Sequence, residues 1–424
     1  MSTPLLPPEL ADQPFLPVVV GGHVGAYSLV RAFHEGYGVR SVVVASVGTW
    51  VTDHSSVLEL LPCRDAVDPE VLLATLEEAL GATTLPKLLL ATSDSLVETV
   101  VALRGRLGAD WRIPYVGTGP LERATRKHTF DEVARAAGVS VPATRSLDLA
   151  DPASVEVEPG FGYPLVVKPT TPAAWAAVSF EGQSKVHTVR SHAELSALLR
   201  HIRDAGYHDE LVVQDLIPGD DTGMRILTCY CDRSSRVRFA AYGRTLLEEH
   251  SPGLLGVPAG ILTGRDGETV AQAGRILAEL GWVGYANFDL KYDPRDGSTK
   301  FFELNPRLGR SNYYVTGTGH NAVRYYVQEW VEDALPDGDD LVETTEETVY
   351  SIVPVRTLRW ALRPHPELWS QVRRVIDAGG LRNPLHYRAE RDPRRWAKVL
   401  AGGLSYDRKF HRYYDPQAAA RSAG

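Results

Sequence analysis

The segment YANFDLKYDPRDGSTKFFELNPRLGRSN, residues 285–312, constrains this chain more than any other part of it. Two runs with period-two alternation flank DPRDG, whose Pro294 and Gly297 favour a chain reversal. With the hairpin centred near Asp296, Asp289 and Glu303 stand opposite each other and Asn305 lies on the face of Glu303. Phe288 and Phe302 then fall on the other face, where they can enter a core. Opposed carboxylates repel, so water, a proton or a cation must reconcile them. Two carboxylates and an amide oxygen are hard donors suited to Mg²⁺, with phosphate and water completing its shell. The arrangement alone leaves both metal–phosphate chemistry and a solvated hairpin open.

Upstream, FLPVVVGG reads as a buried strand ending in a glycine turn, AYSLVRAFHEG as the helix behind it and VRSVVVAS as a second strand. LPKLLLATS and SLVETVVALRGRL repeat the strand–helix order, so residues 17–120 predict an open parallel α/β domain. The turn GGHVG, residues 21–25, is either a packing turn or the edge of a ligand site. It lacks the full GxGxxG pattern, and no nicotinamide cofactor is inferred. A helix ending near Gly138 leads into a second unit. There GYPLVVKP and ELVVQDLIPG read as strands, and Ser191 with Glu194 forms a capping box for a helix over 192–204. ETVAQAGRILAELG and NAVRYYVQEW add helices around the hairpin, and WSQVRRVIDAGG adds one beyond residue 342.

At 424 residues the chain exceeds one ordinary core, and 44% hydrophobic with 23% charged residues describes a globular protein. A net charge of −8 in short mixed runs gives no broad positive surface for nucleic acid. The arginines from Arg382 to Arg395 are interleaved with acids and read as a solvated face, with a local anion pocket as the alternative. Cys63, Cys229 and Cys231 form no disulfide framework, and the last two share one strand face as small buried residues. The opening MSTPLLPPELADQPFLP has neither a basic nor a long apolar segment, and no stretch approaches 18 uncharged apolar residues. A cytoplasmic location without a transmembrane segment is the expectation. No GxSxG elbow supports a serine hydrolase.

The order of these elements resembles the ATP-grasp enzymes, in their carboxylate–amine ligase branch. The resemblance runs to about residue 340, and FDLKYD…KFFELNPR followed by GRSN is its most specific part. It implies an α/β ATP-grasp fold: an N-terminal open parallel-sheet domain over 1–120 and an ATP-grasp domain over 121–341 with a nucleotide lid over about 140–213. A smaller C-terminal domain or wrapping extension follows over 342–424.

The resemblance makes Asp289, Glu303 and Asn305 ligands of one or two Mg²⁺ ions, with Mn²⁺ as a substitute, against the phosphates of ATP. Arg307 faces the transferred phosphate. Lys127 and Lys168 are the nucleotide lysines, and Gln214, Asp215, Leu216 and Ile217 hold adenine. Asp220 or Asp221 meets the ribose. The lid departs from the glycine-rich pattern of many relatives: TTPAAWAAVSFEGQSK carries only Gly182, and Lys185 is either a phosphate contact or a solvated residue. Arg225 and Arg310 orient a carboxylate or acyl phosphate, and Gly22, His23 and Asn312 join Arg310 at the substrate.

The expected partners are an amino acid or other small carboxylate plus an amine, and homodimerisation is a family-level expectation. D-aspartate ligases acting on a peptidoglycan precursor and dipeptide-forming ligases are both similar. Trp50, Thr52, His54, Ser55 and Ser56 read as sheet-edge residues of a substrate pocket or as ordinary loop. A Mg-dependent phosphotransferase and a non-catalytic ATP-binding regulator are the other readings.

Overall fold

The computed structural model describes residues 8–170, 172–184, 186–251, 254–338 and 340–422. They form two compact units: Met1–Gly138 with Gly219–Leu290 and Glu303–Gly424, and Val139–Pro218 with Lys291–Phe302.

The first unit opens with a parallel sheet of β1 (Leu16–Val20), β2 (Ser41–Ala45), β3 (Leu58–Pro62), β4 (Lys87–Ala91) and β5 (Trp111–Arg112), in the order β3-β2-β1-β4-β5. Every residue of β1 and β4 is buried, as expected where helices cover both faces of a parallel sheet. The order reverses between β1 and β4, and such a switch point leaves a crevice at the carboxyl ends of the two strands. Helix Val24–Tyr37 leaves β1 there. His23 caps its first turn, and Gly38, at φ +66°, ends it in the left-handed conformation that glycine adopts without a Cβ clash.

The second unit carries an antiparallel sheet of β6 (Thr144–Asp148), β7 (Leu165–Pro169), β8 (His187–Val189) and β9 (Glu210–Asp215), in the order β6-β9-β7-β8. Helix His192–Asp204 packs Leu195, Leu199 and Ile202 against Leu147, Val167 and Val213 of that sheet. The expected capping box is present: Ser191 accepts from Glu194 N at 3.2 Å, while the Glu194 carboxylate reaches back to Arg190 N at 2.8 Å. A cap of this kind is worth about 1 kcal/mol.

A larger sheet is formed by β10 (Met224–Cys231), β11 (Val237–Glu248), β12 (Pro258–Gly264), β13 (Gly284–Asp293), β14 (Ser298–Asn305), β15 (Val342–Glu343), β16 (Val349–Ser351) and β17 (Leu381–Arg382). Its order is β14-β13-β10-β11-β12-β16-β17, with β15 pairing β11. The segment from residue 342 thus supplies three strands of this sheet, with helices Val355–Ala361 and Pro366–Asp377 between the second and third and helix Pro393–Tyr413 after the third. Ile226, Tyr230 and Ile261 of the large sheet share one apolar core with Val19, Val43 and Leu90 of the first. Cys229 and Cys231 lie buried in β10, as the sequence predicts.

Two expectations change. Phe288 is fully buried, but Phe302 is only half buried and Phe301 takes the core position instead. The reason is local: the end of the hairpin belongs to the second unit, where Phe301 N donates to Ser140 O at 2.9 Å. The arginine-rich segment is not uniformly solvated, because Arg395 is 1% exposed. Its Nε lies 3.1 Å from Glu390, and its guanidinium stacks on the Tyr27 ring. Trp50 lines an apolar cavity with Val353, Leu400 and Leu404, and the polar residues of its loop are bonded within the protein. Ser55 and Ser56 bond to Glu390, Thr52 bonds to Thr49, and Trp50 packs on Tyr406.

Candidate active site

The hairpin turn falls where the sequence puts it. β13 ends at Asp293, β14 begins at Ser298, and Gly297 adopts φ +72°. Antiparallel geometry then brings Asp289 and Glu303 together, close enough for the Glu303 charge to act on Asp289. Burial, followed by the charge of Glu303, raises Asp289 well above the usual carboxylate range, against the smaller opposing pull of Asn305 and Arg307. Asn305, itself buried, donates from Nδ2 to Asp289 Oδ2 at 3.1 Å and to Asn287 O at 3.3 Å. That leaves Asn305 Oδ1 as acceptor for Arg307, whose Nη2 is 3.2 Å away.

Arg307 Nε also lies 2.8 Å from Asp94 Oδ1. Asp94 begins helix Asp94–Ala102, just beyond the carboxyl end of β4 and therefore at the switch point of the first sheet. Desolvation raises the Asp94 carboxyl, and the Arg307 charge opposes that shift. Sequence reasoning missed Asp94. The only available signal was its place after a parallel strand next to the order reversal.

The turn after β1 meets the same edge. Gly21 has φ +119°, and a Cβ there would stand 1.9 Å from Thr92 Oγ1, so only glycine fits. His23 accepts from Gly25 N at Nδ1, 3.0 Å away, so its proton sits on Nε2, which donates to Thr92 O at 3.0 Å. Desolvation, then the charges of Arg310 and Arg307, lowers His23 to about 4, and it is neutral near pH 7. Gly22 accepts from Thr49 Oγ1 at 2.9 Å. Gly25 lets the backbone of Arg310 approach, since a Cβ would lie 3.0 Å from Arg310 Cα. Asn312 is buried, with Nδ2 donating to Gly25 O at 3.0 Å and Gly309 O at 2.9 Å. Its amide nitrogen therefore locks the 309–312 loop onto the glycine turn.

Arg225 donates to Thr222 O and Met224 O, at 2.8 and 2.9 Å, and pairs across the strands with Arg244, which also donates to Thr222 O. Two guanidiniums side by side favour an anion between them. Asp220 is held by His365 at 2.6 Å and by Thr222, and Asp221 by Glu248 N and His250, both at 2.8 Å. Lys127, at the start of helix Lys127–Ala136, pairs with the buried Asp131 at 2.7 Å.

In the second unit, Lys168 on β7 donates to Gln214 Oε1 at 3.3 Å across the β7–β9 pairing, and Gln214 Nε2 donates to Thr144 at 3.0 Å. Asp215 receives both terminal nitrogens of Arg295, Leu216 N donates to Pro164 O, and Ile217 is buried. Lys185 lies outside the described residues.

Among the described residues no group of three or more His, Cys, Asp or Glu side chains is assembled for a metal. Asp289 and Glu303 nevertheless suit a hard cation: two carboxyls forced together, with an amide beside them, are relieved by a divalent ion as well as by a proton. No described helix is long and apolar enough to cross a membrane.

No family model matches the chain. It is 31% identical over 329 residues to the D-aspartate ligase of Enterococcus faecium (strain Aus0004), covering 76% of this chain and 78% of that protein. Its fold is similar to the L-amino acid ligase of Bacillus licheniformis, with a TM-score of 0.55, 15% identity and coverage of 77% and 78% of the two chains. It is also similar to N5-carboxyaminoimidazole synthetase of Staphylococcus aureus complexed with ADP, with a TM-score of 0.56, 14% identity and coverage of 79% and 81%. The chain belongs to the ATP-grasp superfamily, in its carboxylate–amine ligase branch.

Proposed function

We propose that this ligase activates the carboxylate of an amino acid or other small acid as an acyl phosphate and captures it with an amine. The observation that carries the reading is the continuous polar chain Asp94–Arg307–Asn305–Asp289–Glu303, which lines up a cation, an amide and two carboxyls. Asp289, Glu303 and Asn305 would hold Mg²⁺, or Mn²⁺ in its place. When bound, the ion offsets the charge of the ATP phosphates.

A carboxylate oxygen of the acid attacks the γ-phosphorus and ADP leaves. The uncharged amine then attacks the acyl carbon, phosphate leaves, and the amine proton passes to phosphate or solvent. Arg307, braced by Asp94, stabilises the negative charge on the transferred group at fixed geometry. Arg225 and Arg310 orient the acid, with the glycine turn, Gly22 and His23, beside it. Neutral His23 adds no charge there, and Asn312 holds the loop that carries Arg310.

Lys127, Lys168 and Lys185 are assigned to the nucleotide phosphates, and the 214–217 segment to adenine. A ribose contact by Asp220 or Asp221 requires giving up a bond to His365 or His250, which makes either a weaker candidate than the hairpin residues.

The 31% identity to a D-aspartate ligase favours one particular version, in which the acid is D-aspartate and the amine belongs to a peptidoglycan precursor. The test is ADP formation with ATP and Mg²⁺ across pooled amino acids and cell-wall precursors, with product masses read in the same wells. A mass equal to acid plus amine minus water supports the ligase and names both substrates. A gain of one phosphoryl group without amine overturns it in favour of a phosphotransferase, and no turnover in any pool counts against a catalytic role on these substrates.

A further inference from the structure

Asn287 stands two residues before Asp289 on β13 and two after Tyr285, so the three side chains share one strand face. Tyr285 is fully buried in the apolar core and Asp289 belongs to the carboxyl pair, which puts Asn287 at the step between core and site. Asn287 is 3% exposed. Its Oδ1 accepts from Thr228 Oγ1 at 2.8 Å. The Tyr314 hydroxyl lies 2.8 Å from that same Oγ1 and 2.9 Å from Ala241 O, and both Thr228 and Tyr314 are fully buried. The backbone oxygen of Asn287 accepts from Asn305 Nδ2, the nitrogen that also donates to Asp289. A Cβ on Gly309 would stand 3.3 Å from Asn287 Oδ1 and 3.4 Å from its Cγ and Nδ2, so the start of the 309–312 loop lies over the flat face of the amide. The oxygen and one face are thus held, whereas Nδ2 has no hydrogen-bond partner among the described residues and is not sealed from solvent.

A nearly buried N–H without a partner is costly, and an apolar side chain would extend the Tyr285 core without that cost. An amide nitrogen only donates, so it cannot ligate a cation beside the carboxyls. What completes it is an acceptor oxygen. A cation held by the hairpin carboxyls draws phosphate oxygens to this place, and a donor whose direction is fixed in advance stabilises negative charge there without reorganising.

We infer that Asn287 Nδ2 donates to an anionic oxygen of the acyl phosphate as it forms, and that Thr228 and Tyr314 are positioning residues that fix the amide by its oxygen. This rests on the reading of the hairpin as the site of phosphoryl transfer.

The experiment uses the full chain with the acid and amine found in the mass assay. It compares Asn287→Leu, Thr228→Val, Thr228→Ser, the double variant Asn287→Leu/Thr228→Val and, as the control for the hairpin, Asp289→Asn. Acyl phosphate is trapped with hydroxylamine in the absence of amine. Binding is read separately, as the shift in melting temperature with ADP and Mg²⁺, and with ADP, Mg²⁺, fluoroaluminate and the acid, where fluoroaluminate stands for the phosphoryl group in flight. Asn287→Leu should lower kcat and hydroxamate formation by about 10²- to 10³-fold. It should lose the extra shift given by fluoroaluminate, while the shift with ADP and Mg²⁺ alone is kept and KM for ATP stays within about twofold. Thr228→Val should cost about tenfold in kcat, with Thr228→Ser restoring most of it. The double variant should be no worse than Asn287→Leu alone, because the threonine acts through the amide.

If Asn287→Leu stays within twofold of the parent while Asp289→Asn is impaired, the inference fails and the hairpin reading stands. Loss of the ADP and Mg²⁺ shift in step with the fluoroaluminate shift also overturns it, since the amide would then hold nucleotide or fold rather than the transferred group. If Asn287→Leu does not fold, the threonine pair decides, and Thr228→Val within twofold of the parent overturns the inference. If Asp289→Asn itself is unimpaired, the hairpin reading fails and takes the inference with it.

Discussion

Arg307 and Asp94 are separated by more than 200 positions in the sequence, and Arg307 Nε lies 2.8 Å from Asp94 Oδ1. The carboxylate holds the guanidinium in the direction in which Asn305 also receives it. Replacing Arg307 by Ala should lower kcat for amide formation by roughly 10²- to 10³-fold, the usual cost of one preorganised charge-stabilising donor. Asp94→Asn keeps the shape and should cost about tenfold. Steady-state kinetics on both variants check this, and equal effects would show that Asp94 acts in some way other than by orienting Arg307.

The Asp289–Glu303 pair makes opposite predictions for stability and activity. Without divalent metal, Asp289→Asn removes a like-charge contact and should raise stability by about 1 kcal/mol. With ATP and Mg²⁺ the same variant should lose at least about 100-fold in turnover, having lost one hard ligand. Urea unfolding in EDTA and ADP formation in Mg²⁺ read the two effects, and a destabilised variant in EDTA would count against repulsion between the carboxyls.

His23 is lowered to about 4 by burial and by Arg310 and Arg307, below its ordinary 6.5. Between these two values the unfolded chain binds a proton that the folded chain does not, so stability falls as pH drops from about 6.5 to about 4 and is unaffected by this group above that window. At about 1.4 kcal/mol per decade the loss is bounded at about 3 kcal/mol, less any screening by solvent. His23→Asn keeps a cap for helix Val24–Tyr37 and removes the titration. Its unfolding free energy should show a shallower slope across that window, and an unchanged slope would refute the assignment.

Glu390 is 2% exposed and gathers Tyr27 Oη at 2.9 Å, Ser55 Oγ at 2.6 Å, Ser56 N at 2.8 Å and Arg395 Nε at 3.1 Å. Truncation to Ala strands the Arg395 charge in the interior and should cost about 3–5 kcal/mol, whereas Glu390→Gln retains hydrogen bonding and should cost less. Chemical denaturation of both variants, with the order reversed, would refute a charge-based role.

Several features of the site were legible in the amino-acid sequence because they depend on near neighbours. Alternation on either side of a Pro–Gly turn brings Asp289 to Glu303, whatever surrounds the hairpin. The Ser191 cap and the buried pair Cys229 and Cys231 are likewise local, set by one turn of helix and by the two-residue period of a strand. Tertiary structure decided the rest. Phe301 rather than Phe302 is fully buried, because the hairpin end packs within the second unit, and periodicity carries no information about that partner. Arg395, in a run of interleaved charges, is buried because Glu390 and Tyr27 neutralise and cover it. The bracing of Arg307 by Asp94 joins segments far apart in the chain, whose meeting is fixed by strand order. Local periodicity decides which side of an element a residue occupies, and only packing of the whole chain decides what stands opposite it.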